Sequence, residues 1–276
     1  MDTKEFFQKA REALKDLLED RPSEEFGKPL KNVKPIFERR GDIACLMLHG
    51  WTSTPFEFRN LADFLKEKDI SVFVPLLPGH GTSFEALKNV TYKDWLLGSE
   101  KELEKIQKEH KKIFLVGNSI GGNLSFVLAS HHKDISGIVS IGTPIYFRHH
   151  QLYKTLLEIG SLFKEEASKH YPRSVDREII KRKKHYKRFP LKSVKEVFKL
   201  MRLTRQVLSK VETPVFIIQS ETDHLLNNDN AFEIQEKLSS EEKVLKFVPD
   251  AYHVIVDDHR HFDIFKEIYE FIKKHS

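Results

Sequence analysis

Short runs of apolar residues alternate with amphipathic helical patterns along most of the chain. The apolar runs are continuous and rich in β-branched residues, as expected for strands covered on both faces: Ile43–Leu48, Ser71–Val74, Ile113–Val116, Gly137–Ile141, Val215–Gln219 and Val244–Val248. Between them, apolar positions recur at helical spacing in further stretches: Phe56–Lys66, Tyr92–Glu109, Ile120–Ser130, Asn230–Leu238 and His261–Lys274. This alternation predicts an α/β fold with a mainly parallel, doubly wound sheet.

One interval breaks the alternation. Residues 147–210 contain no strand-like run and combine helix-favouring polar residues with spaced Leu, Ile and Phe. The interval holds 18 Lys/Arg against 6 Asp/Glu, a charge of +12, so the chain's net charge of +5 leaves −7 on the other 212 residues. Because a segment with its own composition indicates an insertion, we predict a helical cap, or lid, over residues 147–210 between two core segments, 31–146 and 211–276.

Residues 1–30 precede the predicted core. Within them, residues 3–20 place their apolar side chains on one stripe at helical spacing, and a polar linker follows. This pattern predicts an amphipathic helix that packs against the main body. A partner-binding or interfacial helix is the alternative interpretation.

The composition excludes several classes of protein. With 39% hydrophobic residues among 276, the chain can bury a substantial core, which argues against wholesale disorder. No apolar stretch approaches 18 residues and the first residues include acids, so we predict a cytoplasmic protein with neither a transmembrane helix nor a secretory signal. The one cysteine, Cys45, cannot form an internal disulfide and is predicted to be a small core residue.

The sharpest chemical signal is the sequence Ile-Phe-Leu-Val-Gly-Asn-Ser-Ile-Gly-Gly at residues 113–122. A buried strand enters Gly117-x-Ser119-x-Gly121, and a helical pattern follows at once. This is the context of a nucleophile elbow, in which a strained strand-to-helix turn projects the serine hydroxyl above the sheet. Small residues are needed at 117 and 121, because side chains there would collide with the neighbouring strand or helix. We therefore predict Ser119 as a nucleophile.

A serine nucleophile needs a general base that is itself oriented by an acid. Asp223 follows the run Val215–Gln219, and His253 follows the run Val244–Val248. Both therefore lie in loops after strand ends, where sheets of this kind place catalytic groups, and in the chain order Ser, Asp, His of the elbow fold. We predict the catalytic triad Ser119, Asp223 and His253.

Other titratable residues compete for these roles. Glu221 and Asp229 are the weaker alternatives for the acid. His224 is adjacent to Asp223, but neighbouring side chains in an extended loop point apart. Most of the remaining histidines lie in polar runs or in residues 147–210 and are predicted to be solvated surface groups.

The first strand-like run leads into His49-Gly50-Trp51-Thr52-Ser53. In an elbow fold, an N–H of this loop and the N–H of the residue after the nucleophile bind the oxyanion. We predict the backbone N–H groups of Trp51 and Ile120 as these donors. The side chains of Trp51, Phe56 and Ile120 are predicted to line an apolar acyl pocket.

The chain resembles the α/β-hydrolase superfamily and, within it, the bacterial carboxylesterases and monoacylglycerol lipases. The likeness spans about residues 36–276, is weakest in the predicted cap, and rests on these segments: Leu48-His-Gly-Trp-Thr, Pro78-Gly-His-Gly81-Thr-Ser, Tyr92-Lys-Asp-Trp95, Gly117-Asn-Ser-Ile-Gly-Gly122, Gly142-Thr-Pro144, Pro214-Val-Phe-Ile-Ile-Gln, Asp223 and His253-Val-Ile. Ser53 departs from the pattern, because these esterases often carry Gly at that point of the oxyanion loop. Since the donors are main-chain groups, we expect the oxyanion hole to survive.

The resemblance implies hydrolysis of carboxylic esters through an acyl-enzyme, with no metal and no organic cofactor. Medium-chain acyl esters or monoacylglycerols suit the predicted apolar pocket best. Thioesterase, peptidase, C–C hydrolase and perhydrolase activities use the same triad and stay open. A non-catalytic scaffold on the same fold is the alternative outside enzymes.

The charge pattern bears on partners other than the ester. The uneven charge argues against a nucleic-acid binder, and we predict no stable insertion into a membrane. The basic run Lys181–Lys184 is predicted to form a solvated helix face. Weak association of this run with anionic membrane surfaces is the minority interpretation.

Overall fold

The computed structural model describes residues 33–148, 164–168 and 188–276, together with the single residues 151, 155 and 158. The helix predicted over residues 3–20 and the basic run Lys181–Lys184 lie outside the described residues.

A mainly parallel sheet forms the centre of the fold. The strands of the described residues are β1 (Ile36–Glu38), β2 (Ile43–Leu48), β3 (Ser71–Val74), β4 (Lys112–Asn118), β5 (Ile135–Ile141), β6 (Glu166–Ser168), β7 (Arg188–Pro190), β8 (Val215–Ser220) and β9 (Lys243–Val248). Seven of them form one sheet in the order β1-β3-β2-β4-β5-β8-β9, in which β1 pairs antiparallel with β3 and the other pairs are parallel. This arrangement confirms the predicted fold class.

Helices cover both faces of the sheet. Those of the described residues are α1 (Arg59–Lys66), α2 (Phe84–Asn89), α3 (Tyr92–Gln107), α4 (Ile120–Ala129), α5 (Leu191–Val207), α6 (Asp229–Lys237) and α7 (Ile264–Lys274). Short 3₁₀ helices occupy Pro55–Phe58, Leu208–Lys210, Ile255–Asp257 and His259–His261. None of the described helices is long and apolar enough to span a lipid bilayer.

Strand β2 shows why the apolar runs are continuous. Its alternate side chains enter two different cores: Leu46 belongs to the core that also contains residues of α3, α4, α5 and α6, whereas Cys45 belongs to the core that contains residues of α1 and α7. Because both faces of the sheet are buried here, the side chains on either face of the strand must be apolar. Cys45 is fully buried, as the sequence predicts for a small core residue, and this burial raises the pKa of its thiol.

The parallel strands bring the predicted site residues to one edge of the sheet. Strands β2, β4, β5, β8 and β9 are consecutive neighbours, so their carboxyl ends lie side by side. The loop that starts at His49 follows β2, Ser119 follows β4, and the loops with Asp223 and His253 follow β8 and β9. This edge is the one that doubly wound sheets use for ligands.

The structure corrects the expectation that residues 147–210 contain no strand. Strands β6 and β7 form a separate antiparallel pair, closed by an ion pair between Arg188 and Glu166. Each of these strands has only three residues and no apolar run. Their backbone pairing defines them as strands, and their residue pattern does not predict them. The predicted helical character holds for α5. Between the neighbouring strands β5 and β8, the described residues therefore include helix α5 and the antiparallel pair of β6 and β7.

Candidate active site

Ser119 occupies the strained turn that the elbow pattern predicts. Its backbone has φ 54° and ψ −121°, a conformation that residues other than glycine rarely adopt, between strand β4 and helix α4. The Ser119 N–H donates to the carbonyl of Ile141 at 2.8 Å, and the Ser119 carbonyl accepts from the N–H of Gly122 at 2.9 Å. These bonds, on both sides of the serine, hold the turn in place.

Two glycines make the turn possible. A Cβ atom on Gly117 would lie 2.3 Å from backbone atoms of Gly121 and Gly122, at the start of α4. A Cβ atom on Gly121 would lie 1.8 Å from the carbonyl oxygen of Leu48, in β2. The collisions expected from the sequence thus have definite partners: the helix for residue 117 and the neighbouring strand for residue 121.

Asp223 and His253 form a buried hydrogen-bonded pair. Nδ1 of His253 lies 2.6 Å from Oδ2 of Asp223, and the two residues are 6% and 1% exposed. The other carboxylate oxygen of Asp223 accepts from the N–H groups of Leu225 at 2.8 Å and Leu226 at 3.1 Å. Because a carboxylate is only an acceptor, these bonds make His253 Nδ1 the protonated nitrogen and leave Nε2 as the basic one.

The charge state of Asp223 follows from the same contacts. Burial opposes ionisation, but the charge of His253, the hydrogen bond to it and the N–H of Leu225 outweigh that penalty. The pKa of Asp223 therefore lies below the ordinary value of an aspartate. A carboxylate ionised in this way stabilises an imidazolium, which is the task of a triad acid.

The end of strand β5 brings this pair next to Ser119. Ile141 accepts the Ser119 N–H, and the following residue, Gly142, faces the imidazole: a Cβ atom there would lie 3.4 Å from Cε1 of His253. Within the part of the chain that the structure describes, no hydrogen bond joins the Ser119 hydroxyl to His253. Such bonds are often long without substrate and tighten in the Michaelis complex.

The alternative acids are differently placed. Glu221 and Asp229 are exposed, whereas Asp223 is buried against the imidazole. His224 stacks on the ring of Tyr252, with centroids 5.3 Å apart, and presents an edge-on contact to His253 at 6.1 Å. It therefore packs beside the base.

The two predicted oxyanion donors flank Ser119. Ile120 is the first residue of α4, where an N–H has no partner within the helix. Trp51 follows Gly50, and a Cβ atom on Gly50 would lie 3.5 Å from Cβ of Ser119. Within the described ranges, neither the Trp51 nor the Ile120 N–H donates to a backbone carbonyl. The assignment of both as oxyanion donors stays a prediction.

The side chains proposed to line an acyl pocket have different surroundings. The indole of Trp51 contacts residues of α5 and β7: its Nε1–H donates to Oγ of Ser193 at 3.2 Å, and its ring centroid lies 4.7 Å from that of Phe189. Phe56 is half-buried under the guanidinium of Arg59, 3.9 Å from the ring centroid. The Ile120 side chain is buried in the core. Of the three, Trp51 links the loop after β2 to α5 and β7.

Sequence reasoning did not identify His49 as a residue that holds the loop after β2 in place. The ring is fully buried; its Nδ1–H donates to the carbonyl of Gly50 at 2.9 Å, and its Nε2 accepts the N–H of Leu77 at 3.1 Å. Burial, together with the nearby ring of His80, holds the pKa of His49 well below its ordinary value, against the effect of the bond to Gly50. His49 is therefore neutral and ties the loop to the segment after β3.

This burial of His49 predicts a loss of stability in mild acid. As the pH falls below about 6.5, residue 49 binds a proton in the unfolded state but not in the folded state, so the free energy of unfolding falls. Between pH 7 and pH 5.5 the loss from this group should be about 1 kcal/mol. We expect urea unfolding of the His49→Gln variant to lack this component. An equal acid loss in both proteins would contradict the assignment.

Within the described ranges, no group of three or more His, Cys, Asp and Glu side chains is arranged to hold a metal ion.

Comparison with known proteins identifies the family. The model of the family described as serine aminopeptidase, S33, matches residues 40–260, most of the chain. The chain belongs to this family of α/β hydrolases. The resemblance inferred from the motifs is thereby confirmed.

Relatives of the chain have related descriptions. A thermostable monoacylglycerol lipase from Bacillus sp. (strain H-257) is 30% identical over 255 residues, covering 90% of this chain and 97% of that protein. A carboxylesterase from Bacillus subtilis (strain 168) is 27% identical over 243 residues, covering 87% and 96%. A solved structure from work on the metagenome-derived lipolytic enzymes LipS and LipT has a TM-score of 0.81 at 24% identity, covers 90% of this chain and 100% of that one, and shows the same fold.

Proposed function

We propose that the protein is a serine carboxylester hydrolase that cleaves short- and medium-chain acyl esters, monoacylglycerols among them. The observation that carries the proposal is the buried 2.6 Å hydrogen bond between Asp223 and His253. It lies at the carboxyl ends of the strands, where Ser119 adopts its strained turn. The descriptions of the two Bacillus relatives, a monoacylglycerol lipase and a carboxylesterase, support the choice of ester over other acyl substrates.

In the acylation step, Nε2 of His253 accepts the hydroxyl proton of Ser119 while Oγ attacks the ester carbonyl carbon. Asp223 holds the imidazole through Nδ1 and stabilises its charged form. The carbonyl oxygen becomes an anion and binds the N–H groups of Trp51 and Ile120. As the C–O bond breaks, the imidazolium protonates the departing alcohol and leaves an acyl group on Ser119.

In the deacylation step, water replaces the alcohol. Nε2 of His253 takes a proton from the water, whose oxygen attacks the acyl carbon, and the same two N–H groups bind the second oxyanion. Collapse of this intermediate returns the proton to Oγ of Ser119 and releases the carboxylic acid. Neither step requires a group from outside the chain other than ester and water.

The insertion is proposed to act as a lid over the acyl pocket. Phe189 in β7 and Ser193 in α5 both contact the indole of Trp51, whose own N–H is a proposed oxyanion donor. Helix α2 also anchors the insertion, through an ion pair of 2.7 Å between Lys88 and Glu165. A lid placed in this way would surround the acyl chain next to the scissile bond.

A substrate panel tests the proposed activity. A serine-directed fluorophosphonate should label the wild-type protein and fail to label Ser119→Ala. The protein should hydrolyse p-nitrophenyl esters and monoacylglycerols with far higher kcat/KM than acyl-CoA thioesters or aminoacyl p-nitroanilides. Faster cleavage of the anilides would instead favour the peptidase activity that the family description names.

The same panel tests the lid. Phe189→Ala should change the preference among p-nitrophenyl esters of different chain length and leave cleavage of the acetyl ester nearly intact. Phe37→Ala is the control, because this exposed phenylalanine lies in β1, the outermost strand of the sheet on the side away from the site. An unchanged chain-length profile in Phe189→Ala would contradict the lid assignment.

A further inference from the structure

Glu57 is a buried carboxylate in the 3₁₀ helix that follows the oxyanion loop. It is 4% exposed, and burying a charged group is costly unless hydrogen bonds compensate it. Its Oε1 accepts from the N–H of Gly50 at 2.7 Å and from Nδ2 of Asn118 at 3.1 Å. Its Oε2 accepts from the hydroxyl of Ser53. The carboxylate thus receives donors from two separate segments.

These donors belong to the two segments that carry the proposed oxyanion N–H groups. Gly50 and Ser53 stand at the two ends of the turn that contains Trp51, and the Gly50 carbonyl closes that turn by accepting the Ser53 N–H at 3.1 Å. Asn118 directly precedes Ser119 and Ile120 in the elbow. One side chain therefore connects the oxyanion loop to the nucleophile elbow.

The orientation of the Trp51 N–H follows from this network. In a trans peptide the carbonyl and the N–H point in opposite directions, and the described chain has no cis peptide bond. The carbonyl of Gly50 is held by the Ser53 N–H and by Nδ1 of His49, while Glu57 holds the Gly50 N–H. The two bonds to the Gly50 carbonyl hold the peptide between Gly50 and Trp51, and Glu57 holds the preceding peptide, so together these bonds fix the direction of the Trp51 N–H.

We propose that Glu57 is a positioning residue that sets the distance between the two oxyanion donors. This inference rests on the proposed function, because it assigns Glu57 a part in the same site. It also gives Ser53 a role: where related esterases often carry Gly, this chain has a hydroxyl that donates to the Glu57 carboxylate. Glu57 acts through the main chain of the loop and does not touch the reacting atoms.

The test compares three variants that loosen the network to different degrees. Glu57→Ala removes the acceptor of all three donors and should lower kcat by about tenfold to a hundredfold with little change in KM, since a displaced oxyanion donor costs part of what a deleted one does. Glu57→Gln keeps an oxygen for Gly50 and Asn118, and should retain most of kcat. Ser53→Ala removes one donor and should fall between Glu57→Gln and Glu57→Ala.

A transition-state analogue separates positioning from stability. A trifluoromethyl ketone adds to the serine and places an oxyanion in the hole, so its inhibition constant should rise across the three variants in proportion to the fall in kcat/KM. Ser71→Ala is the matched control. Its buried hydroxyl also has three partners, namely the N–H of Arg40, the carbonyl of Gly41 and Nε2 of His110, but it lies at the opposite end of the sheet. This control should lower Tm without changing kcat or the inhibition constant.

The outcomes are distinct. A proportional change of kcat/KM and inhibition constant in the Glu57 and Ser53 variants supports the inference. If these variants lower only Tm, as Ser71→Ala does, Glu57 is structural and the inference is wrong. Should Glu57→Ala fail to fold, Ser53→Ala decides the matter by the same comparison, with Glu57→Gln as the variant that should stay close to the wild type. A wild-type protein that neither hydrolyses esters nor reacts with the fluorophosphonate would overturn the proposed function itself.

Discussion

Replacing Ser119 by Ala, Asp223 by Asn or His253 by Ala is expected to lower kcat for ester hydrolysis by about three or more powers of ten. The first change removes the nucleophile and the third removes the base. Asp223→Asn presents a donor to Nδ1 of His253, which favours the tautomer whose Nε2 carries the proton and cannot accept one. The three residues should act as a unit, so a double variant should be little slower than a single one.

The alternative acids, Glu221 and Asp229, supply controls for this experiment. Glu221→Gln and Asp229→Asn change exposed carboxylates and should keep near-full activity. Thermal unfolding should show that Ser119→Ala remains folded, since the elbow is held by main-chain bonds that Ala preserves. Loss of activity in Glu221→Gln or Asp229→Asn, together with an active Asp223→Asn, would mean that the acid is wrongly assigned.

The sequence predicted the six strands that carry apolar runs, including the partly exposed β9, and missed β1, β6 and β7, which have only three residues each. Strands β2 and β3 have the predicted bounds, and β4 extends beyond its apolar run because Gly117 and Asn118 continue the pairing with β5. Strand β1 was missed because it has three residues and pairs only at the edge, with Phe37 partly exposed. Helix α2 was also missed, because it is short. Ser83 was a usable signal for its start, since the Ser83 hydroxyl accepts the Ala86 N–H there.

The residues of the proposed triad had clearer signals in the sequence than the residues that contact their loops. Ser119, Asp223 and His253 follow strand ends, so chain order and strand position were enough to select them. Glu57 lies in an ordinary helical pattern, and its partner Asn118 is 61 positions away. His49 was visible in the motif, but its bond to the Leu77 N–H depends on how the segment after β3 returns to the loop. Contacts of this kind exist only after folding, and no local pattern encodes them.

Replacing Gly121 by Ala is expected to destabilise the fold severely. The added Cβ would lie 1.8 Å from the carbonyl oxygen of Leu48 and 2.5 Å from its carbonyl carbon. These are backbone atoms of β2, which is held on both sides by β3 and β4, so no flexible side chain can move aside. We expect a loss of about 4 kcal/mol or more, a large part of the 5–15 kcal/mol that stabilises a typical domain.

Gly98→Ala is the matched control for this prediction. Gly98 lies within α3, where a Cβ would approach only the side-chain atoms Cδ and Cγ of Pro78, at 3.0 Å. Alanine is favoured over glycine in a helix by about 1 kcal/mol, which offsets the tight contact, so the free energy of unfolding should change by no more than about 1 kcal/mol. Urea unfolding of the two variants measures the difference. A Gly121→Ala protein as stable as Gly98→Ala would show that α4 and β2 can separate, and that the elbow does not depend on their close approach.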